Sequence, residues 1–318
     1  MYIGIDLGGT NIAAGVVSED GRIIIQKSVP TLSGRPTDEI VADMASLVKQ
    51  LLNETELKTG DIKAVGIGCP GTIDFTTGEV VYSNNIKMEH YMLSEKFREY
   101  IDLPVKIDND ANCAAMGEYV ANGENADTFV FITLGTGVGS GIIINGKVFR
   151  GFNGVASEAG HMTLVSGGEL CTCGKRGCWE SYASVTALIG QTTDVMKKNP
   201  ESIMFGLAEK EGKVSGKTAF EAAKRGDSAA QEVVNDYVHY VADGIVSIEN
   251  IFQPDIIAVG GGISREGEYL MNPVREYVLK SGFNKFMPKT KIVTAKLFND
   301  AGIIGAAMIA KEILNKSK

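Results

Sequence analysis

Nowhere in the 318 residues does an apolar run reach eighteen, so no transmembrane helix and no membrane partner are expected. No cluster of Lys or Arg offsets the formal net charge of −8, which argues against a nucleic-acid partner held by phosphate neutralisation. The opening "MYIGIDLGGT" lacks the basic region and apolar stretch of a signal peptide, and it reads as a strand from its second residue. A cytoplasmic protein is expected, whose thiols stay reduced. GxxxxGK[ST] is missing too, which excludes a P-loop. Cysteine and histidine are scarce, at five and three, and there is a single Trp. Yet three Cys and one His fall within "HMTLVSGGELCTCGKRGCWE" (161–180). In a reducing compartment a disulfide knot is the weaker explanation for that concentration.

What is present is ordinary globular composition, 44% hydrophobic and 22% charged, in a chain long enough for two domains. Two segments resemble each other: "YIGIDLGGTNIAAGVVSEDGRIII" (2–25) and "FVFITLGTGVGSGIIINGKVFRG" (129–151). Each has a β-rich strand, a Gly/Thr-rich turn, a second strand and a hairpin signal, Asp20-Gly21 in one and Asn145-Gly146 in the other. The period is too long for a solenoid, so the repeat reads as two homologous domains, each opening on a meander.

After the first meander, Ile40, Met44, Leu47, Val48 and Leu51 follow helical spacing, with Thr37 available to cap. A buried strand at 62–68 leads into the turn "CPGTID"; a short helix near 93–100, the strand "PVKID" and a helix opening at 109–111 come next. The second half adds the Cys-rich insertion, helices between Ser181 and Phe252, a strand at 255–261 and a closing helix "AGIIGAAMIAKEIL", apolar on most sides and expected to be buried. Alternating strands and helices make this an α/β protein with two sheets.

Three glycine clusters each follow a predicted buried strand: Gly8-Gly9-Thr10, Gly135-Thr136-Gly137 and Gly260-Gly261-Gly262. Glycine there lets backbone N–H groups approach an anion, and Thr10 and Thr136 add hydroxyl donors. Tight hairpins alone would also explain any one cluster. Two duplicated strand–turn–strand units suit a nucleotide gripped between two domains. Asp6, the last inward-pointing residue before the first turn, is placed to hold Mg²⁺ through water. Asp108, Asn109 and Asp110 stand at a strand-to-helix junction, where the helix N-terminus favours a carboxylate and one of the three is expected to cap. Cys171, Cys173 and Cys178 with His161 make a closed Cys3His set, the pattern of a structural zinc site with no position left for water. Cys69 and Cys113 lie in apolar surroundings and read as core thiols.

Together "DLGGTN", "LGTGVGSG", "DNDAN", "EAGH" and "CTCGKRGCWE" resemble, in order and over nearly the whole chain, the ROK family of bacterial sugar kinases and repressors, most closely its glucokinase branch. The resemblance implies a duplicated ribonuclease-H-like, actin/hexokinase-type fold with a zinc-binding loop. Its smaller α/β domain would comprise 1–109 with the C-terminal helix 300–318, and its larger one 110–299. It implies phosphorylation of glucose to glucose 6-phosphate, using ATP with Mg²⁺, with Asp110 as the base. Asn109, Glu158, His161 and Glu180 would bind sugar hydroxyls, and zinc would sit on His161, Cys171, Cys173 and Cys178. The turns at 8–10 and 135–137 would hold phosphates, and Gly260–Gly262 would lie near the adenosine. Asp108, where many relatives have Glu, receives no catalytic role.

Repressor members carry an N-terminal helix-turn-helix; this sequence begins at its first strand, so a kinase is expected, and relatives suggest a homodimer. Relatives often have Asn followed shortly by Trp, as in "NLGW". Here the strip is "YSNNIKMEHY", with Asn85 expected to face the sugar and Met88 or Tyr91 nearby. That departure leaves N-acetylmannosamine, N-acetylglucosamine or fructose as alternative substrates. A non-catalytic sugar sensor is opposed by intact Asp110 and both phosphate turns, and a non-sugar ATPase by the EAGH and zinc motifs. Trp179 reads either as a sugar-stacking ring or as packing within the metal loop.

Overall fold

The computed structural model describes residues 1–122 and 125–315. Strands β1 (Tyr2–Leu7), β2 (Asn11–Val17) and β3 (Ile23–Pro30) form the first meander, with β1 and β2 paired from Tyr2↔Val17 to Leu7↔Ile12. Helix α1 (Thr37–Glu54) buries Ile40, Met44, Leu47, Val48 and Leu51 in a core shared with Ile5, Ile12 and Val16. Each such side chain contributes about 1.5–3 kcal/mol by leaving water. Pro36 holds the N-cap position and makes no side-chain cap, so Thr37 is already helical and the expected Thr37 cap is not formed. Next come β4 (Val65–Cys69), the short strands β5 (Thr72–Asp74), β6 (Glu79–Ser83) and β7 (Met88–Tyr91), helix α2 (Leu93–Arg98), β8 (Val105–Asn109) and α3 (Asp110–Asn122).

The second half opens with β9 (Thr128–Leu134), β10 (Val138–Ile144) and β11 (Lys147–Val148). Beyond the Cys-rich loop lie α4 (Glu180–Ala183), α5 (Val185–Lys198), α6 (Met204–Glu211), α7 (Thr218–Lys224) and α8 (Ser228–Phe252). β12 (Ile256–Gly260), α9 (Glu268–Ser281), β13 (Lys291–Thr294) and α10 (Ala301–Asn315) complete the order.

The two large sheets run β3-β2-β1-β4-β8 and β11-β10-β9-β12-β13. Each therefore has the same arrangement of its own strands, third-second-first-fourth-fifth, which is the duplication legible in the two meanders. A third sheet, β5-β6-β7, was not expected; the segment read as a turn after Cys69 enters it at Thr72. Its strands span only three to five residues, too few alternating positions to register as a period.

Contacts gather the chain into two compact units. The first holds the described residues of Met1–Phe131, Gly141–Ser157 and Lys296 onward; the second holds Ile132–Ser140 and Glu158–Ala295. The boundary expected at 109/110 coincides with the β8–α3 junction, and contacts keep α3 with the first unit. There α10, buried along Ala301–Ala310 as its sequence suggested, lies against β1 and β4. A Cβ at Gly4 would stand 1.9 Å from the Ile303 carbonyl oxygen, and one at Gly66 would stand 1.8 Å from that of Ala306. Only glycine permits so close an approach. The end of the expected 300–318 helix, residues 316–318, lies outside the described residues. Among the described residues no helix is long and apolar enough to cross a membrane.

Candidate active site and metal centre

In the first unit the parallel strands β1, β4 and β8 end in register, Asp6 beside Gly68 and Gly68 beside Asp108. Ligands of α/β proteins gather at such carboxyl ends. The Gly8–Thr10 turn leaves β1 here, fixed by Gly8 N–H to Asn11 O at 3.0 Å, Thr31 N–H to Thr10 O at 2.8 Å and Thr31 Oγ1 to Gly8 O at 2.6 Å. Thr10 stays exposed. Asn85, also exposed, lies beside this turn, its Cβ 3.5 Å from where a Cβ on Gly9 would be. Met88 is buried in the core, and the Tyr91 hydroxyl donates to Asp38 on α1 at 2.5 Å.

The three polar residues at the β8–α3 junction have separate tasks. Asp108 is buried and accepts from Asn112 Nδ2 at 2.9 Å and Arg150 Nε at 2.6 Å. Asn109 is the cap: its Oδ1 accepts the N–H groups of Ala111 at 2.9 Å and Asn112 at 3.3 Å, while its Nδ2 donates to Gly71 O at 3.1 Å. Asp110, half-buried, opens the helix and accepts Ala111 N–H at 2.9 Å. Burial raises the Asp110 carboxyl above its ordinary value. Burial, and then the charge of Asp110, push Asp6 up to about 6. Two carboxylates that resist ionising side by side are a setting for a divalent cation.

Arg150 was invisible in the sequence, standing 42 positions from Asp108 with no local pattern to join them. It also lies over the Phe75 ring, 5.2 Å from its centroid. Arg150→Met strands a buried carboxylate, and the expected loss is about 3–5 kcal/mol of stability. A fall in the urea midpoint checks this; an unchanged midpoint would mean that Asp108 has another counter-charge.

In the second unit Gly135–Gly137 follows β9. Val185 N–H donates to Gly135 O at 2.8 Å and Thr186 Oγ1 to Thr136 O at 2.7 Å, tying the turn to the start of α5, while Thr136 itself stays exposed. Gly260–Gly262 leaves β12 at the same end of the sheet. At Gly261, with φ +86°, a Cβ would stand 2.2 Å from the Leu134 carbonyl oxygen, so only glycine fits.

The "EAGH" segment and Glu180 converge on the start of β10. Ala159 N–H donates to Ser140 Oγ at 3.1 Å, and Val138 N–H donates to Glu180 Oε2 at 3.0 Å. Glu158 precedes a short 3₁₀ turn, Ala159–His161. A groove of about 420 Å³ runs beside them, lined among others by Thr136, Glu180, Ser184, Thr186 and Gln191.

His161, Cys171, Cys173 and Cys178 offer ligand atoms that all lie within 4.8 Å of one another. Cys173 Sγ is 3.6 Å from Cys178 Sγ, and Cys171 Sγ is 3.6 Å from His161 Nδ1. Tetrahedral zinc ligands at their usual bond lengths stand about 3.6–3.8 Å apart, so the donor set fits zinc. The nitrogen among the sulfurs is Nδ1, which leaves Nε2 for another partner. A backbone N–H from Lys175 lowers the Cys173 thiol, whereas burial pushes Cys178 up to about 12, a thiol that a metal would have to deprotonate. Lys175 Nζ, bonded to His161 O at 2.6 Å, braces the loop. Trp179 is core: fully buried, it donates Nε1–H to Tyr240 O at 2.7 Å, and its ring fills the notch at Gly244. Cys69 and Cys113 are buried core thiols, as expected.

Known proteins resemble this chain over nearly its whole length. The ROK family model matches residues 2–313. A glucokinase of Streptomyces coelicolor is 38% identical over 318 residues, covering 98% of both chains. A glucokinase of Thermotoga maritima is 36% identical over 312 residues, covering 98% of this chain and 97% of its own. The crystal structure of a ROK family glucokinase from Streptomyces griseus in complex with glucose and AMPPNP has a TM-score of 0.82 and 37% identity, over 98% of this chain and 99% of that one. The chain belongs to the ROK family.

Proposed function

We propose that the protein transfers the γ-phosphoryl group of ATP to the 6-hydroxyl of glucose, releasing glucose 6-phosphate. The observation that carries this is the similarity, over nearly the full length, to glucokinases, one of them seen with glucose and AMPPNP. The chain's own residues support it. Asp110 takes the proton of the attacking hydroxyl; its raised pKa brings it nearer the operating pH, where a general base is most effective. Asn109 has one Nδ2 hydrogen on Gly71 and a second left for a sugar oxygen. Asn85, Glu158, the Nε2 side of His161 and Glu180 bind further hydroxyls. Zinc, held by His161, Cys171, Cys173 and Cys178, fixes the imidazole's tautomer and orientation.

The turns at Gly8–Thr10 and Gly135–Gly137 hold phosphates, and Gly260–Gly262 lies at the adenosine end. Phosphoryl transfer needs charge neutralisation, which Mg²⁺ supplies when bound; Asp6 is its carboxylate. The cytoplasmic location expected from the sequence and the homodimer expected from the resemblance belong to the same proposal. A coupled assay over glucose, N-acetylmannosamine, N-acetylglucosamine and fructose tests the substrate. Glucose is expected to have the highest kcat/KM, and a higher value for any other hexose reassigns it.

Thr136→Val separates nucleotide from sugar. It removes a hydroxyl donor at nearly constant volume. A hydrogen bond to a charged group contributes about 1.5–3 kcal/mol, so nucleotide affinity should fall about 10–150-fold. Glucose affinity measured without nucleotide should hold. Loss of glucose affinity alone would assign the turn to the sugar.

A further inference from the structure

The carboxylate of Asp108 faces two ways. Its Oδ1 accepts the backbone N–H of Asn109 at 2.9 Å and Asn112 Nδ2 at 2.9 Å, so one oxygen ties residues on both sides of Asp110. Its Oδ2 meets two nitrogens of Arg150, Nε and Nη2, each at 2.6 Å. The Asp108 and Arg150 side chains are 3% and 10% exposed, so water competes little for the pair.

Arg150 is itself held in place. Its carbonyl accepts Ala156 N–H at 3.2 Å, and Phe149 N–H donates to Ile142 O at 2.8 Å, which fixes the chain where it leaves β11. The guanidinium lies over the Phe75 ring, and Nη2 is 3.7 Å from Glu312 Oε2 on α10. Phe75 follows β5, in the same segment whose Gly71 carbonyl accepts Asn109 Nδ2. A planar guanidinium can grip an oxygen and stack on a ring at once, which the point charge of a lysine cannot.

Capping of α3 requires none of this, because Asn109 Oδ1 already takes the N–H groups of Ala111 and Asn112. What Asp108 and Arg150 add is a fixed place for the first residues of the helix. A general base works only within hydrogen-bond reach of the proton it takes, and a displacement of about 1 Å can cost about 10²-fold. We propose that Arg150 is a positioning residue for phosphoryl transfer: gripping Asp108 Oδ2, it sets where Asn109 and Asp110 meet the sugar, an inference that rests on the roles proposed above for those two residues.

Steady-state kinetics and urea unfolding of the same full-length variants test it. Arg150→Met should lower kcat for glucose at least about tenfold and raise the glucose KM at least about threefold, with the ATP KM within about twofold of the parent's. The double variant Asp108→Asn/Arg150→Met removes the stranded charge and keeps an amide oxygen for Asn109 N–H. Its urea midpoint should recover toward the parent's while kcat stays low, because nothing then holds the amide from the Oδ2 side. A merely structural pair would give kcat back with the fold. Should both variants unfold, Arg150→Lys keeps the counter-charge and should fold as the parent does, yet lower kcat at least about threefold for want of the fork. Recovery of kcat in the double variant, or parental kcat and glucose KM in any folded variant, would overturn the proposal and leave the glucokinase reading intact. A parent inactive on every hexose would overturn both.

Discussion

Asp110→Asn should lower kcat by about 10²–10⁴-fold, the usual worth of a positioned general base, with glucose affinity retained. The amide keeps an oxygen where Asp110 Oδ1 accepts the Ala111 N–H, so the head of α3 stays as it is. What disappears is the capacity to take a proton. The variant should unfold at the same or a higher urea concentration. Burial raises the folded pKa of Asp110, so its charged form is disfavoured in the native state. The stability tied to its neutral form is complete below the unfolded pKa and is lost as pH rises through the folded one. At neutral pH a neutral amide escapes that loss.

The parent's kcat/KM should decline as pH falls through the raised pKa of Asp110, because the base must be unprotonated to act. The variant should lack that limb. Near-parental turnover would remove Asp110 from the mechanism, and a collapsed urea midpoint would show that the carboxylate has a structural role instead.

Much of this molecule is legible in the sequence because each half repeats one local grammar. A β-rich run, a Gly/Thr turn and a second run announce β1–β2 and β9–β10, and the two sheets repeat the same strand order around them. The Cys3His cluster is equally plain, since its ligands lie within eighteen residues of one loop and few other patterns need them. What stays hidden depends on partners distant in the chain. Asp108, Asn109 and Asp110 are all plausible caps by type; Arg150, arriving from beyond β11, engages Asp108, and the carbonyl of Gly71 holds Asn109. Trp179 becomes a core residue only because α8 presents Gly244 and the Tyr240 carbonyl to it.

Cys173→Ser should release the metal and with it the sugar, while nucleotide binding persists. The parent should contain about one zinc per chain by elemental analysis, as a single closed Cys3His set requires. Cys173 is the exposed member of the set, so its replacement disturbs no buried packing, and a serine hydroxyl is a poor zinc ligand at neutral pH. Without zinc the His161 ring loses the partner at Nδ1 that orients Nε2. The loop keeps its backbone ties, among them Leu164 N–H to Gly177 O at 2.8 Å, Gly177 N–H to Glu169 O at 2.8 Å and Trp179 N–H to Met162 O at 2.9 Å. Glu180 retains its bond from Val138 N–H, so the loss should fall first on His161.

The apolar cores do not depend on this loop: α1 packs on its sheet within the first unit, and Val233, Tyr237, Val241 and Ile245 of α8 are buried in the second. The fold should therefore survive, unlike a zinc finger, whose folding energy is largely the metal's. Titration of glucose should show affinity falling at least about tenfold, as losses of metal-orienting contacts commonly do. Nucleotide, followed by thermal shift, should bind as before. A fully active parent without metal, or a Cys173→Ser protein with parental glucose affinity, would separate the zinc from the sugar and leave the loop a brace alone.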